Sequence, residues 1–140
     1  MLPSQGRVES SILLSRSEMN YKGIIIEESL KDTSTLNEVK ILESKIEPVT
    51  PKHQTPWLKQ WTLHTIEVIE NKIDMVSKKL SKSFDPKHPD WYADLKNDQF
   101  HYIIFANKVF KVDLSDPKLY LAAKEYGKSI GIPEYQLDFV

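Results

Sequence analysis

The residues of this chain best suited to chemistry are four histidines, His53, His64, His88 and His101, with the carboxylates and tryptophans near them. His101 is the sharpest candidate. It lies in Phe100-His101-Tyr102-Ile103-Ile104-Phe105, a run apolar enough to be a strand covered on both faces. Asp94 precedes it by one tight turn. If Asn97-Asp98 is a two-residue turn, Lys96 faces Gln99, Leu95 faces Phe100 and Asp94 faces His101. A carboxylate opposite an imidazole fixes its tautomer and orientation, which is how a general base is prepared. The chemistry implied is that of a small hydrolase or isomerase built on His101 and Asp94, with help from His64 or Tyr92. A slip of register by one residue would put the pair on opposite faces of the sheet.

Two other constellations compete with it. His64 would add a third donor to His101 and Asp94, and three nitrogen and oxygen ligands with an open position suit zinc or a similar divalent ion. The segment from Pro48 to Trp61 holds Pro48, Pro51 and Pro56 with Trp57 and Trp61, a stiff loop carrying two large aromatic surfaces. With His64, Tyr92 and His101 it predicts an aromatic-lined ligand site. Each reading has a plainer counterpart, because a strand histidine is more often a packed, hydrogen-bonded residue and tryptophans commonly cover the end of a core. Weighed together, the expectation is a small non-catalytic binding or interaction domain that holds a small molecule or protein partner near Trp57 and Trp61, with no cofactor. The enzyme and the metal protein stand as its alternatives.

Positioning these residues requires a sheet. Lys22 to Leu30 is a strand by its three consecutive isoleucines. Glu38 to Glu47 is a second, ended by Pro48 and Pro51, with a helix from Thr35 to Ile46 as the rival assignment. Gln60 to Ile69 is a third, with Trp61, Leu63 and Thr65 on one side and His64, Ile66 and Val68 on the other. A helix over about Lys72 to Phe84 follows, capped by Asn71 and burying Ile73, Val76, Leu80 and Phe84. Trp91 to Asp113 reads as three antiparallel strands joined at Asn97-Asp98 and Asn107-Lys108, with Phe100, Tyr102, Ile104 and Phe110 in the core. A second helix starts at Asp116-Pro117, buries Leu119, Ala122, Ala123, Tyr126 and Ile130, and ends at Gly131. The tail alternates Tyr135, Leu137 and Phe139, which predicts docking and a short strand. The sum is an α+β domain of order β-β-β-α-β-β-β-α: a mainly antiparallel sheet of five or six strands with two helices packed on one face.

Composition narrows the function classes. The chain has 140 residues, enough for one self-supporting domain, and a formal net charge of -1 with both signs interspersed. Duplex nucleic acid and anionic membranes are therefore not expected partners. No cysteine is present, which removes disulfides, thiolate metal sites and cysteine nucleophiles. Four glycines supply neither GxGxxG nor GxxxxGK[ST], and HExxH and GxSxG are missing too. No apolar run approaches the roughly 20 residues of a membrane span. A soluble, cytoplasmic protein is expected, and a homodimer through a bare sheet edge is a further expectation.

The runs TPWLKQWTLHT, WYADLKND, HYIIF and YGKSIGIPEYQLDF resemble those of small prokaryotic proteins of uncharacterised function, from about Met19 to the C-terminus. The resemblance implies no activity and no catalytic residues. Residues 1–18, serine-rich with only Ile12, Leu13 and Leu14 as an apolar cluster, read as a poorly ordered leader and residues 19–140 as a single α+β domain, and the resemblance supports placing residues 1–18 outside that domain. Removing residues 1–18 should leave the melting temperature nearly unchanged; a large drop in a thermal melt would mean that Ile12 to Leu14 pack on the core.

Overall fold

The computed structural model describes residues 19–139, so the expected leader lies outside the described residues. Six strands form one sheet: β1 (Tyr21–Ile26), β2 (Lys40–Pro48), β3 (Gln60–Val68), β4 (Tyr92–Lys96), β5 (Phe100–Phe105) and β6 (Lys108–Asp113). Helix α1 (Ile73–Ser83) follows β3, and α2 (Tyr120–Ser129) follows β6. The strand order is β2-β3-β1-β4-β5-β6, with each neighbouring pair antiparallel. This is the α+β order expected from the sequence. The segment with a rival helical reading is strand β2, paired with β3 along its length and broken by one bulge between Ile41 and Glu43.

The two helices take opposite faces of the sheet, which corrects the expectation of one shared face. The reason is β5. Tyr102 and Ile104 point to one side and pack with Val76 and Leu80 of α1; Ile103 and Phe105 point to the other and pack with Ala123 of α2, Leu137 and Phe139. A strand apolar on both faces needs cover on both. Phe100 and Phe110, expected in the core, are only half-buried, and the Lys111 ammonium lies 4.1 Å from the Phe100 ring centroid.

Both hairpin turns sit one position away from where the sequence puts them. Asn97 is the last paired residue before the first turn, not its first loop residue. Its backbone N–H donates to the Phe100 carbonyl at 3.0 Å, and its side-chain oxygen accepts from the N–H groups of Gln99 and Phe100 at 2.8 Å each. That Asx cap makes Asp98-Gln99 the loop, so Lys96 faces His101 and Asp94 faces Ile103. In the second hairpin Phe105 faces Lys108, and Asn107 takes the left-handed conformation at φ 61°.

The helix ends differ in detail from expectation. Short 3-10 turns, Glu70–Lys72 and Pro117–Leu119, lead into the two helices, and neither Asn71 nor Asp116 caps them through its side chain. Starting α2 at Tyr120 rotates its buried stripe: Ala123 and Gly127 are buried, whereas Leu119 and Ala122 are exposed. Gly131 ends it at φ 95°. The tail forms a 3-10 turn, Glu134–Gln136, in place of a strand. It still docks, with Leu137 and Phe139 buried in the α2 layer. The free edges of the sheet are β2 and β6; β2, where a dimer edge would have most room, carries the bulge and a run of charged side chains that discourage pairing.

The sheet joint of β1 with β4 is short and tight. A Cβ at Gly23 would lie 2.0 Å from the Asp94 backbone oxygen, so no other residue fits without parting the strands. Gly23→Ala should lower stability by about 1–3 kcal/mol or more, read from urea unfolding; a loss within experimental error would show that the joint can open freely.

Candidate functional site

Asp94 and His101 do meet, although not as direct opposites. A register displaced by two residues keeps both side chains on one face, because side-chain direction alternates with a period of two. They are diagonal neighbours, a separation that side chains of this length can span. His101 Nε2 lies 2.5 Å from Asp94 Oδ2, and His101 Nδ1 lies 2.7 Å from the Tyr120 hydroxyl. The ionised carboxylate only accepts, so Nε2 carries a hydrogen; in the neutral ring Nδ1 is then left to accept from the Tyr120 O–H. His101 is 1% exposed, whereas the Asp94 side chain is 43% exposed. The imidazole is thus a buried support with both nitrogens engaged. The carboxylate is the member of the chain that reaches the surface.

His64 belongs elsewhere. Ile24 faces both Thr65 and Asp94, while His64 faces Ile25, which puts His64 on the opposite face of the sheet from Asp94 and His101. The expected trio of His64, His101 and Asp94 around one metal ion is therefore ruled out by strand parity, as is direct help from His64 to His101. Among the described residues no group of three or more His, Cys, Asp or Glu comes together to hold a metal. His64 has its own partners: Nε2 lies 2.8 Å from Glu27 Oε1 and Nδ1 lies 2.7 Å from Ser44 Oγ. Serine, histidine and carboxylate in contact suggest a nucleophile triad, but Ser44 stands on the outer strand of an open sheet, away from the cavity that Asp94 lines. The group serves to satisfy a buried imidazole.

On the Asp94 face, beyond the cover given by α2, lies a cavity of about 370 Å³. Its floor is sheet: Ile24 and Ile26 of β1, Tyr92, Ala93 and Asp94 of β4. Trp61 and Trp91 bound it, their ring centroids 5.5 Å apart. The rim is the loop Lys52 to Thr55, pinned at several points. The Thr55 hydroxyl accepts from Trp61 Nε1 at 2.9 Å, and the Lys52 carbonyl accepts from the Tyr135 hydroxyl at 2.9 Å and from Gln136 Nε2 at 3.1 Å. His53 stands edge-on to Trp61 at 4.3 Å. The Pro-rich loop and the C-terminal tail are thereby clamped together over the open half of the sheet, leaving the cavity beneath. Asp90, Asp94, Lys52 and His53 are its charged or titratable residues besides the tyrosines.

Of the residues singled out in the sequence, His53, Trp61, Tyr92 and Asp94 line this cavity. Trp57 does not; it is 45% exposed and stacks on His88 at 3.6 Å. His64 is across the sheet and His101 is behind Asp94. Tyr120, Trp91, Asp90, Tyr135, Gln136 and the β1 isoleucines were not foreseen. Ile24, 49% exposed in the middle of an apolar strand, carried the only local signal, since three isoleucines in a row must send at least one to each face.

No family model, no curated protein and no solved structure matches this chain.

Two tyrosines beside Asp94, Tyr92 and Tyr120, have their hydroxyls shifted upward. Burial, then the charges of Asp94 and Asp138, push the Tyr92 hydroxyl up to about 12; it donates to the Gln136 carbonyl. Burial and Asp94 likewise raise the Tyr120 hydroxyl above its usual value of 10.0. A folded-state pKa above the unfolded one contributes stability that is complete below the unfolded value and lost as pH rises through the folded value. Stability from Tyr92 should therefore hold below pH 10 and fall between pH 10 and about 12. Tyr92→Phe should flatten part of that alkaline loss in urea titrations; an identical alkaline slope in the variant would contradict the assignment.

Proposed function

We propose that this protein is a small-molecule binding domain whose site is the cavity between the β1–β4 sheet surface and the clamp of the Pro-rich loop with the C-terminal tail. One observation carries the reading: a cavity of about 370 Å³ with Trp61, Trp91, Tyr92 and Tyr135 among its lining residues and a few polar groups converging on it. Ligand sites of about 300–1,000 Å³ are characteristically apolar and aromatic, with a small number of placed polar groups that set orientation. The loop is stiff before any ligand arrives, since Pro51, Thr55 and Lys52 are all fixed by turn or side-chain bonds. Preorganisation of that kind reduces the entropy lost on binding. Relative to the sequence reading, the site keeps Trp61 and loses Trp57.

A proton-transfer enzyme is the second reading, favoured by the chain Tyr120–His101–Asp94 ending at the cavity wall. In it Asp94 would touch the substrate and His101 would be a positioning residue, because both of its nitrogens are already bonded. An enzyme of this kind would lose turnover in Asp94→Asn while substrate affinity changed much less.

The binding reading is tested by a metabolite screen that monitors melting temperature and tryptophan emission in wild type and Ile24→Trp. The substitution is at a half-exposed floor position and fills the cavity without touching the core. Ligands should raise the wild-type melting temperature, by an amount set by concentration over Kd, and should fail on the variant. Equal stabilisation of both proteins would move the site elsewhere, and a screen with no ligand at all would remove the proposal.

A further inference from the structure

From the cavity's walls we infer that its ligand is an organic cation, a protonated amine or quaternary ammonium on an apolar body, with Asp94 as the anchoring group. The inference rests on the binding reading and specifies its ligand class.

The carboxylate is prepared for such a partner. His101 Nε2 holds Oδ2 at 2.5 Å, and the Tyr120 hydroxyl holds the ring from behind. Among the described residues Oδ1 has no hydrogen-bond partner, and Asp94 is part of the cavity wall with its side chain 43% exposed. A carboxylate fixed through one oxygen and unpartnered at the other is a positioned acceptor for an N–H donor, and charge-assisted bonds of this type are the strong ones. Among the described residues Asp94 forms one ion pair, with His101, and the lining set holds two carboxylates, Asp90 and Asp94, against one lysine, Lys52.

The remaining walls favour the same charge. Indole and phenol rings present electron-rich faces that attract ammonium groups within about 6 Å, an effect that grows when the cation is desolvated. Trp61, Trp91, Tyr92 and Tyr135 surround the space beside Asp94. Burial and the nearby carboxylates push the Tyr92 hydroxyl up to about 12, so its ring adds no negative charge of its own in the ordinary pH range. Ile24 and Ile26 supply an apolar floor. A bare metal ion lacks the ligand count here, and an anion would face Asp90 and Asp94. An amine with an apolar or aromatic body uses the Asp94 carboxylate, the aromatic rings and the isoleucine floor together.

The test compares phenethylamine, phenethyl alcohol and hydrocinnamate, which share a ring and differ in carrying a positive, neutral or negative end. Affinities are measured by calorimetry on wild type and Asp94→Asn, a variant whose amide oxygen can still accept from His101. Phenethylamine should bind wild type about tenfold or more tightly than phenethyl alcohol, with hydrocinnamate weakest. In Asp94→Asn the gap between amine and alcohol should shrink to about twofold or less while the alcohol's own affinity is kept. Equal binding of all three probes to wild type would overturn the inference and leave the pocket reading intact. An amine preference that survives in Asp94→Asn would overturn the role of Asp94. Absence of binding by all three would end the inference, whereas the pocket itself falls only with the outcome of the Ile24→Trp screen.

Discussion

Three residue pairs join the two halves of this sheet: Lys22 with Lys96, Gly23 with Leu95 and Ile24 with Asp94. On one side of the joint lies the β2-β3-β1 half, on the other the β4-β5-β6 half. Everything at the candidate site crosses this seam, since Ile24 and Ile26 come from one half and Tyr92 and Asp94 from the other. The seam closes because Gly23 has no side chain to hold the strands apart. Its outer pair sets two lysines opposite each other, an arrangement that does not help pairing, although Glu67 also faces Lys22 and provides a countercharge across β3. The joint therefore depends on close backbone approach and on the buried layer behind it, Ile25, Ile66 and Leu95.

Around that seam the molecule divides its two faces unequally. The α1 face is a continuous apolar layer from Ile66 and Val68 to Tyr102 and Ile104. The other face is covered by α2 and the tail over β5, β6 and the start of β4, where Ile103, Phe105 and Val112 pack with Ala123 and Leu137 and Tyr92 packs against Phe139. Leu137 seats directly on Gly127, where a Cβ would come within 2.6 Å of it. The tail then continues to Tyr135 and Gln136, which reach back to the loop at Lys52. The cavity is the space left where this half-cover stops. The Pro-rich loop bridges the remainder through its bonds to the tail.

Buried histidines recur on both faces with the same solution. His64 and His101 each have a carboxylate at Nε2 and a hydroxyl at Nδ1. Leaving either nitrogen unpaired would cost the desolvation of a polar group, and among the described residues no buried side-chain nitrogen or oxygen lacks a partner. The difference between the two lies in surroundings. Ser44 stands on the edge strand β2 and Glu27 in the turn after β1, while Asp94 lines the cavity.

The amino-acid sequence by itself determined the elements and their order, because periodicity, proline stops and β-branched runs act locally. It also determined that Asp94 and His101 share a face: parity survives the two-residue error made at Asn97, whose side chain capped the turn in a way that its residue type alone did not specify. What only the tertiary structure decided was the pairing of β1 with both β3 and β4. That choice separated His64 from His101, brought Ile24 beside Asp94, and removed the basis for a shared metal site. It likewise selected Tyr120 as the partner of His101 and turned Trp57 outward onto His88. Contacts of this kind join residues 19 to 84 positions apart. No local propensity encodes them, because they depend on which surfaces remain uncovered once the rest of the chain has packed.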